Sequence, residues 1–137
     1  MGIPSEERLN EIAQGLAKIL RVQDWDINVH VINGYEMDKR YNDCTFCGMA
    51  DRNIRLNTAD IYLNSDNCED EWYEALIHEL IHVQQTPMIH CTKGYFQEDH
   101  SYWDDLNEQL TEKQAQIFAS VYPYDRFEKE RECGKIV

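Results

Sequence analysis

The sequence predicts an α+β fold, a small mixed or antiparallel sheet of three to four strands packed on an N-terminal helix and two later helices. Three observations carry this. Pro4 to Arg21 repeats apolar residues at helical spacing, Trp25 to Asn64 contains two stretches of alternation, and helical spacing returns twice after Asn67. With 137 residues and 42% hydrophobic content, one domain spanning 1–137 is expected, without a second independent core. Its parts are an N-terminal helix (1–23), the sheet (24–67), two long helices (68–122) and a tail (123–137).

In the first helix Leu9, Ile12, Ala13, Leu16, Ile19 and Leu20 form the apolar stripe, with Pro4 or Ser5 opening it and Glu6 and Glu7 at its positive end. Trp25 to Ile32 then places Trp25, Ile27, Val29 and Val31 on one strand face, with His30 on the other as a surface histidine. Asn33-Gly34 is a turn signal, and the polar stretch Tyr35 to Asp43 reads as a connection.

Cys44 to Asp51 reads as a second strand, where Gly48 suggests a bulge or a close backbone approach. Ala59 to Asn64 alternates Ile61 and Leu63 against Asp60 and Tyr62 as a third. Cys44 and Cys47 have the spacing of half a zinc ribbon, but Cys68, Cys91 and Cys133 stand singly, so the thiols read as ordinary ones.

A helix from Cys68 to Gln85 follows, with Asp66 or Asn67 as its cap, Trp72, Ala75, Leu76, Leu80 and Val83 toward the core, and Pro87 as its stop. Gln85 to Asp99 lacks periodicity and reads as a long loop in which His90, Cys91 and His100 share no regular spacing. The last long helix runs from Ser101 to Val121, capped by Ser101 with Asp104, and the charged tail from Tyr124 adds at most a short helical turn.

The net charge of −13, from 13 basic and 26 acidic residues, repels phosphate backbones and anionic bilayers, so neither a nucleic-acid nor a membrane partner is expected. No run reaches the roughly 18 apolar residues of a membrane span. Met1 to Asn10 lacks a signal-peptide pattern, and the odd set of five cysteines fits a reduced, cytoplasmic compartment.

The stretch that carries chemistry is His78-Glu79-Leu80-Ile81-His82. Residues four apart on a helix lie one turn above each other, so both imidazoles can share one metal ion, with Glu79 beside them in reach of a bound water. Two neutral imidazoles suit Zn²⁺, and this set is the one a metal-dependent hydrolase needs. A third histidine at short spacing is absent, since Thr86, Pro87 and Met88 occupy that region. The next helix offers glutamates instead.

The HELIH motif, followed by Glu112-Lys113-Gln114-Ala115-Gln116-Ile117-Phe118-Ala119, resembles the gluzincin metallopeptidases, whose third ligand opens a signature of the form ExxA or ExxxD. The short chain is similar in particular to the often phage-associated minigluzincins. The resemblance spans roughly Trp25 to Val121, its specific part being the two helix motifs. It implies a minimal zincin-like fold, one catalytic Zn²⁺ on His78, His82 and Glu112, and Glu79 as general acid and base.

Glu108 is the rival third ligand, because Asn107-Glu108 with an acid four residues on would put Glu112 behind a histidine instead. Gln116 departs from the acidic residue many gluzincins carry there, a poorer partner for an imidazole N–H. The resemblance further implies a peptide or protein substrate lying along the Ala59 to Asn64 strand as an edge, and the host cytoplasm if the chain is phage-encoded; it leaves open a latent form in which the tail with Cys133 covers the cleft. Tyr95, His100, Tyr102, Tyr122 and Tyr124 are the candidates for stabilising an oxyanion. Two other readings share the motif: a zinc-stabilised binding protein without turnover, and a DNA-associated repair peptidase, against which the charge weighs.

Overall fold

Ser5 accepts a hydrogen bond from Arg8 N at 3.2 Å and so caps the first helix, α1 (Glu6–Ile19), whose Leu9, Ile12, Ala13 and Leu16 are fully buried. The computed structural model describes residues 2–92 and 100–135. Among them the chain forms an α+β fold of five helices and one three-stranded mixed sheet. Strands β1 (Asp26–Ile32), β2 (Gly48–Asn53) and β3 (Thr58–Asn64) lie in the order β1-β3-β2, β1 parallel and β2 antiparallel to β3. The third strand is therefore central, and its expected role as a free edge is overturned: partners occupy both of its sides.

The pairing register decides which residues reach the helices. Ile27 and Val29 sit opposite Ala59 and Ile61, and Ala50 and Gly48 sit opposite Ile61 and Leu63, so one face carries them all. Against that face pack α1 and α3 (Trp72–Thr92), the latter through Leu76, Ile77, Leu80 and Val83, each fully buried. Full burial of a Leu or Ile side chain is worth roughly 1.5–3 kcal/mol, so this seam is where the position of α3 is fixed.

Three elements differ from the sequence reading. The stretch after Asn33 is a helix, α2 (Gly34–Tyr41), in which Asn33 accepts from Glu36 N at 2.9 Å as the cap. Asp66 serves the same end, accepting from Gly34 N at 2.7 Å. A Cβ on Gly34 would stand 2.9 Å from that carboxylate oxygen, which is why glycine fits there. On this outer sheet face His30 pairs with Asp60 at 3.0 Å and stacks on Tyr62.

The motif helix continues through Pro87. Proline removes the N–H that would reach the Val83 carbonyl. The neighbouring His82 carbonyl is doubly served, accepting from Thr86 Oγ1 at 2.8 Å and from Arg52 Nη1 at 3.1 Å. Helix thus replaces most of the expected loop, whose remainder, residues 93–99, lies outside the described residues. The next helix, α4 (His100–Val121), begins close to where Ser101 suggested; the side chain of that expected cap is outside the description.

The charged tail is the nine-residue helix α5 (Tyr124–Glu132), with Phe127 fully buried. Arg8 pairs with Glu128, and Arg131 with Glu11 at 3.2 Å, so α5 is docked on α1. No helix among the described residues is long and apolar enough to cross a membrane.

Candidate metal centre

The apolar stripe of α3 orients its opposite edge toward α4, and this edge carries His78 and His82. Both side chains are nearly enclosed, 9% and 12% exposed. Their Nε2 atoms lie 3.1 Å apart. One carboxylate spans them: Glu108 on α4 reaches His78 Nε2 at 2.6 Å and His82 Nε2 at 3.0 Å. Zinc bonds of about 2.0 Å in a tetrahedron put ligand atoms about 3.3 Å apart, so this donor set fits a single zinc ion in chemistry and in spacing.

Glu112, one turn further along α4, approaches the other ring nitrogen, His78 Nδ1, at 2.9 Å. Of the two glutamates weighed in the sequence, Glu108 is the one that reaches the Nε2 pair, and Glu112 meets the opposite side of the His78 ring. Four residues separate the two on one helix face, and the fit of α4 against α3 determines which reaches the Nε2 pair. A carboxylate behind a ligating histidine fixes the tautomer and orientation of the ring. Gln116 donates to Glu112 Oε1 at 3.2 Å, so the amide steadies that carboxylate instead of meeting an imidazole. His82 Nδ1 is buried without a hydrogen-bond partner among the described residues.

Glu79 is 5% exposed and lines the same cavity. Burial pushes its carboxyl up to about 6, against the pull of His78 and His82 in the opposite direction. For His78, burial disfavours the cation, but the hydrogen bond to Glu108 and the charges of Glu79, Glu108 and Glu112 outweigh it and raise the imidazole to about 9. The bonds from His78 and His82 hold Glu108 well below the usual carboxylate range. These contacts favour the imidazolium of His78, so a metal ion bound there would compete with a proton.

The opposite wall belongs to β2. A Cβ on Gly48 would lie 3.2 Å from both Glu79 Oε2 and Leu63 Cδ2, so the close approach anticipated at this glycine is present, without a bulge in the register. Arg52, on the same face of β2, supplies the bond to the His82 carbonyl and draws the Glu79 carboxyl down by its charge. The sequence reading missed Arg52, whose signal was its period-two spacing from Gly48. It also missed Glu71 and Glu74, which line the cavity and stand seven and four residues before His78 on one helix face.

Other expected participants lie elsewhere. Tyr122 bonds Glu130 of α5, and Tyr124 of α5 stacks on Tyr73 of α3, so both are engaged in the packing of α5. Tyr95 and the side chains of His100 and Tyr102 fall outside the described residues. Cys133 is exposed at the end of α5 and does not line the cavity, whereas Cys47 does. The five cysteines form no disulfide with one another. Comparisons of the chain with protein families, with curated proteins and with solved structures found no match.

Proposed function

We propose that the chain is a zinc-dependent metallopeptidase of the gluzincin type with a minimal zincin-like fold. The observation that carries this reading is the meeting of two things at one cavity: the Glu108 carboxylate bridging the Nε2 atoms of His78 and His82, and the buried carboxylate of Glu79. His78, His82 and Glu108 would hold the ion, and Glu112 would orient His78. When bound, zinc supplies Lewis-acid polarisation of the peptide carbonyl and makes a water a nucleophile near neutral pH.

The chain's own residues do the rest. Glu79, raised to about 6, is still an acceptor at pH 7; it takes the proton of the attacking water and returns it to the departing amine. The apolar seam of Leu76, Leu80 and Val83 beneath the motif keeps α3 rigid, so these carboxylate and imidazole positions are held before substrate arrives. A peptide substrate would add to the edge of β2, which borders the cavity at Gly48.

The test is digestion of a peptide library by the zinc-loaded protein beside Glu79→Ala. Cleavage by wild type that a chelator stops, with a loss of at least about 10³-fold in Glu79→Ala and unchanged zinc content, is the expected result. Retained cleavage in Glu79→Ala would sink the mechanism, and zinc binding without any cleavage by wild type would replace it with a binding role.

A further inference from the structure

Of the two histidines proposed as ligands, one has its ring held from behind and the other does not. Glu112 reaches His78 Nδ1 at 2.9 Å, whereas His82 Nδ1 is buried and bonds to no described residue. A ligating imidazole is ordinarily oriented through its second nitrogen. Without such a partner, the place of the His82 ring rests on the backbone that carries it.

That backbone enters a turn of α3 that is short of a bond. Pro87, inside the helix, brings no N–H to the Val83 carbonyl. Two side chains meet the His82 carbonyl in the same turn: Thr86 Oγ1 at 2.8 Å and Arg52 Nη1 at 3.1 Å. The Thr86 bond runs within α3, back to the residue four before it, so it moves with the helix and cannot fix it against the sheet. The Arg52 bond comes from another element. Arg52 stands on β2 opposite Ala59, on the face it shares with Gly48 and Ala50, and its side chain crosses from sheet to helix. Strand β2 thus meets the motif twice, with Gly48 beside Glu79 and Arg52 at His82.

We infer that Arg52 is a positioning residue of the metal centre, which holds the His82 carbonyl from β2 and so keeps the second histidine in place beside His78 and Glu108. It does for His82 through the backbone what Glu112 does for His78 through the ring. The inference rests on the reading of these three residues as zinc ligands, not on peptide hydrolysis. Arg52 acts through His82 and is not itself a ligand. One N–H makes the bond, so the planar fork of a guanidinium is not required, and a lysine ammonium can take over much of the task. Methionine keeps an unbranched stem and loses the donor.

The test compares wild type, Arg52→Met, Arg52→Lys and Thr86→Val. Zinc affinity is measured by chelator competition, and the visible absorption of the cobalt-substituted proteins reports the geometry of the ligand set. Arg52→Met is expected to bind zinc on the order of fivefold more weakly, the scale of one hydrogen bond, with altered cobalt bands. Arg52→Lys should recover most of both. Thr86→Val loses only the bond inside the helix and should stay within about twofold of wild type, with unchanged bands.

An Arg52→Met protein with wild-type affinity, or one whose cobalt bands are those of wild type, overturns the inference. So does an Arg52→Lys protein that recovers neither property. A loss in Thr86→Val equal to that in Arg52→Met also overturns it, because the effect would then lie in the pairing of the carbonyl and not in the tie to β2. A wild type that takes up neither metal is a separate result: it defeats the ligand set, and the role of Arg52 falls with it.

Discussion

Along the outer side of β1, three residues of α1 spaced one turn apart close the sheet. Glu6 accepts from Val31 N at 2.8 Å, Asn10 accepts from Val29 N at 2.8 Å and donates to Val29 O at 3.0 Å, and Gln14 donates to Ile27 O at 3.3 Å. Along the outer side of β2, no described residue does anything comparable. Asn64 N bonds Cys47 O, and continuing that register turns the backbone groups of Gly48, Ala50 and Arg52 outward. One edge is closed by side chains and the other stays available beside the cavity lined by His78 and Glu79. Exposed edges invite added strands, and the proposed function would place its peptide substrate on this open one.

That contrast can be broken from either side. The largest effect is expected at the closed edge: Asn10→Ala leaves both backbone groups of the buried Val29 without their partner and should cost about 1–3 kcal/mol in urea unfolding. Zinc affinity of that variant should be unchanged. A variant as stable as wild type would mean that α1 does not protect this edge.

At the open edge the effect should be smaller and of a different kind. Ala50→Pro removes an N–H that points away from β3, so the β2–β3 ladder should survive, as hydrogen exchange would report. The KM for a peptide should rise about tenfold, equivalent to ~1.4 kcal/mol. An unchanged KM with an intact ladder would exclude this edge as the docking strand.

Much of the scaffold was legible in the sequence because its signals are local. The α1 stripe, the alternation of β1 and β3, and the HExxH helix depend on spacing within one element, and Ser5 capped its helix as its position implied. The misses share a cause, in that a residue's role was set by something distant. Asn33-Gly34 has the chemistry of a turn and equally that of a helix start, and Asp66, far along the chain, makes it the latter. The tail reads as charge alone, yet Phe127 is buried and Arg131 finds Glu11 on α1.

The site divides along the same line. His78, Glu79 and His82 come from one helical turn and were found together. Glu108 and Glu112 share a face of α4, and only the packing of α4 on α3 puts Glu108 at the Nε2 pair and Glu112 at His78 Nδ1. The strand bordering the cavity could not be chosen from alternation either, because the patterns of β2 and β3 do not state which lies at the edge.

The most direct measurement is an equilibrium zinc titration against a competing chelator for wild type, Glu108→Ala and Glu112→Ala. Wild type should bind one zinc per chain. Glu112→Ala should weaken it roughly 10–100-fold, as loss of a carboxylate behind a ligating histidine does, and Glu108→Ala should weaken it well beyond that. A wild type that holds no zinc, or a Glu108→Ala protein that binds more tightly than Glu112→Ala, would contradict the proposed metal centre.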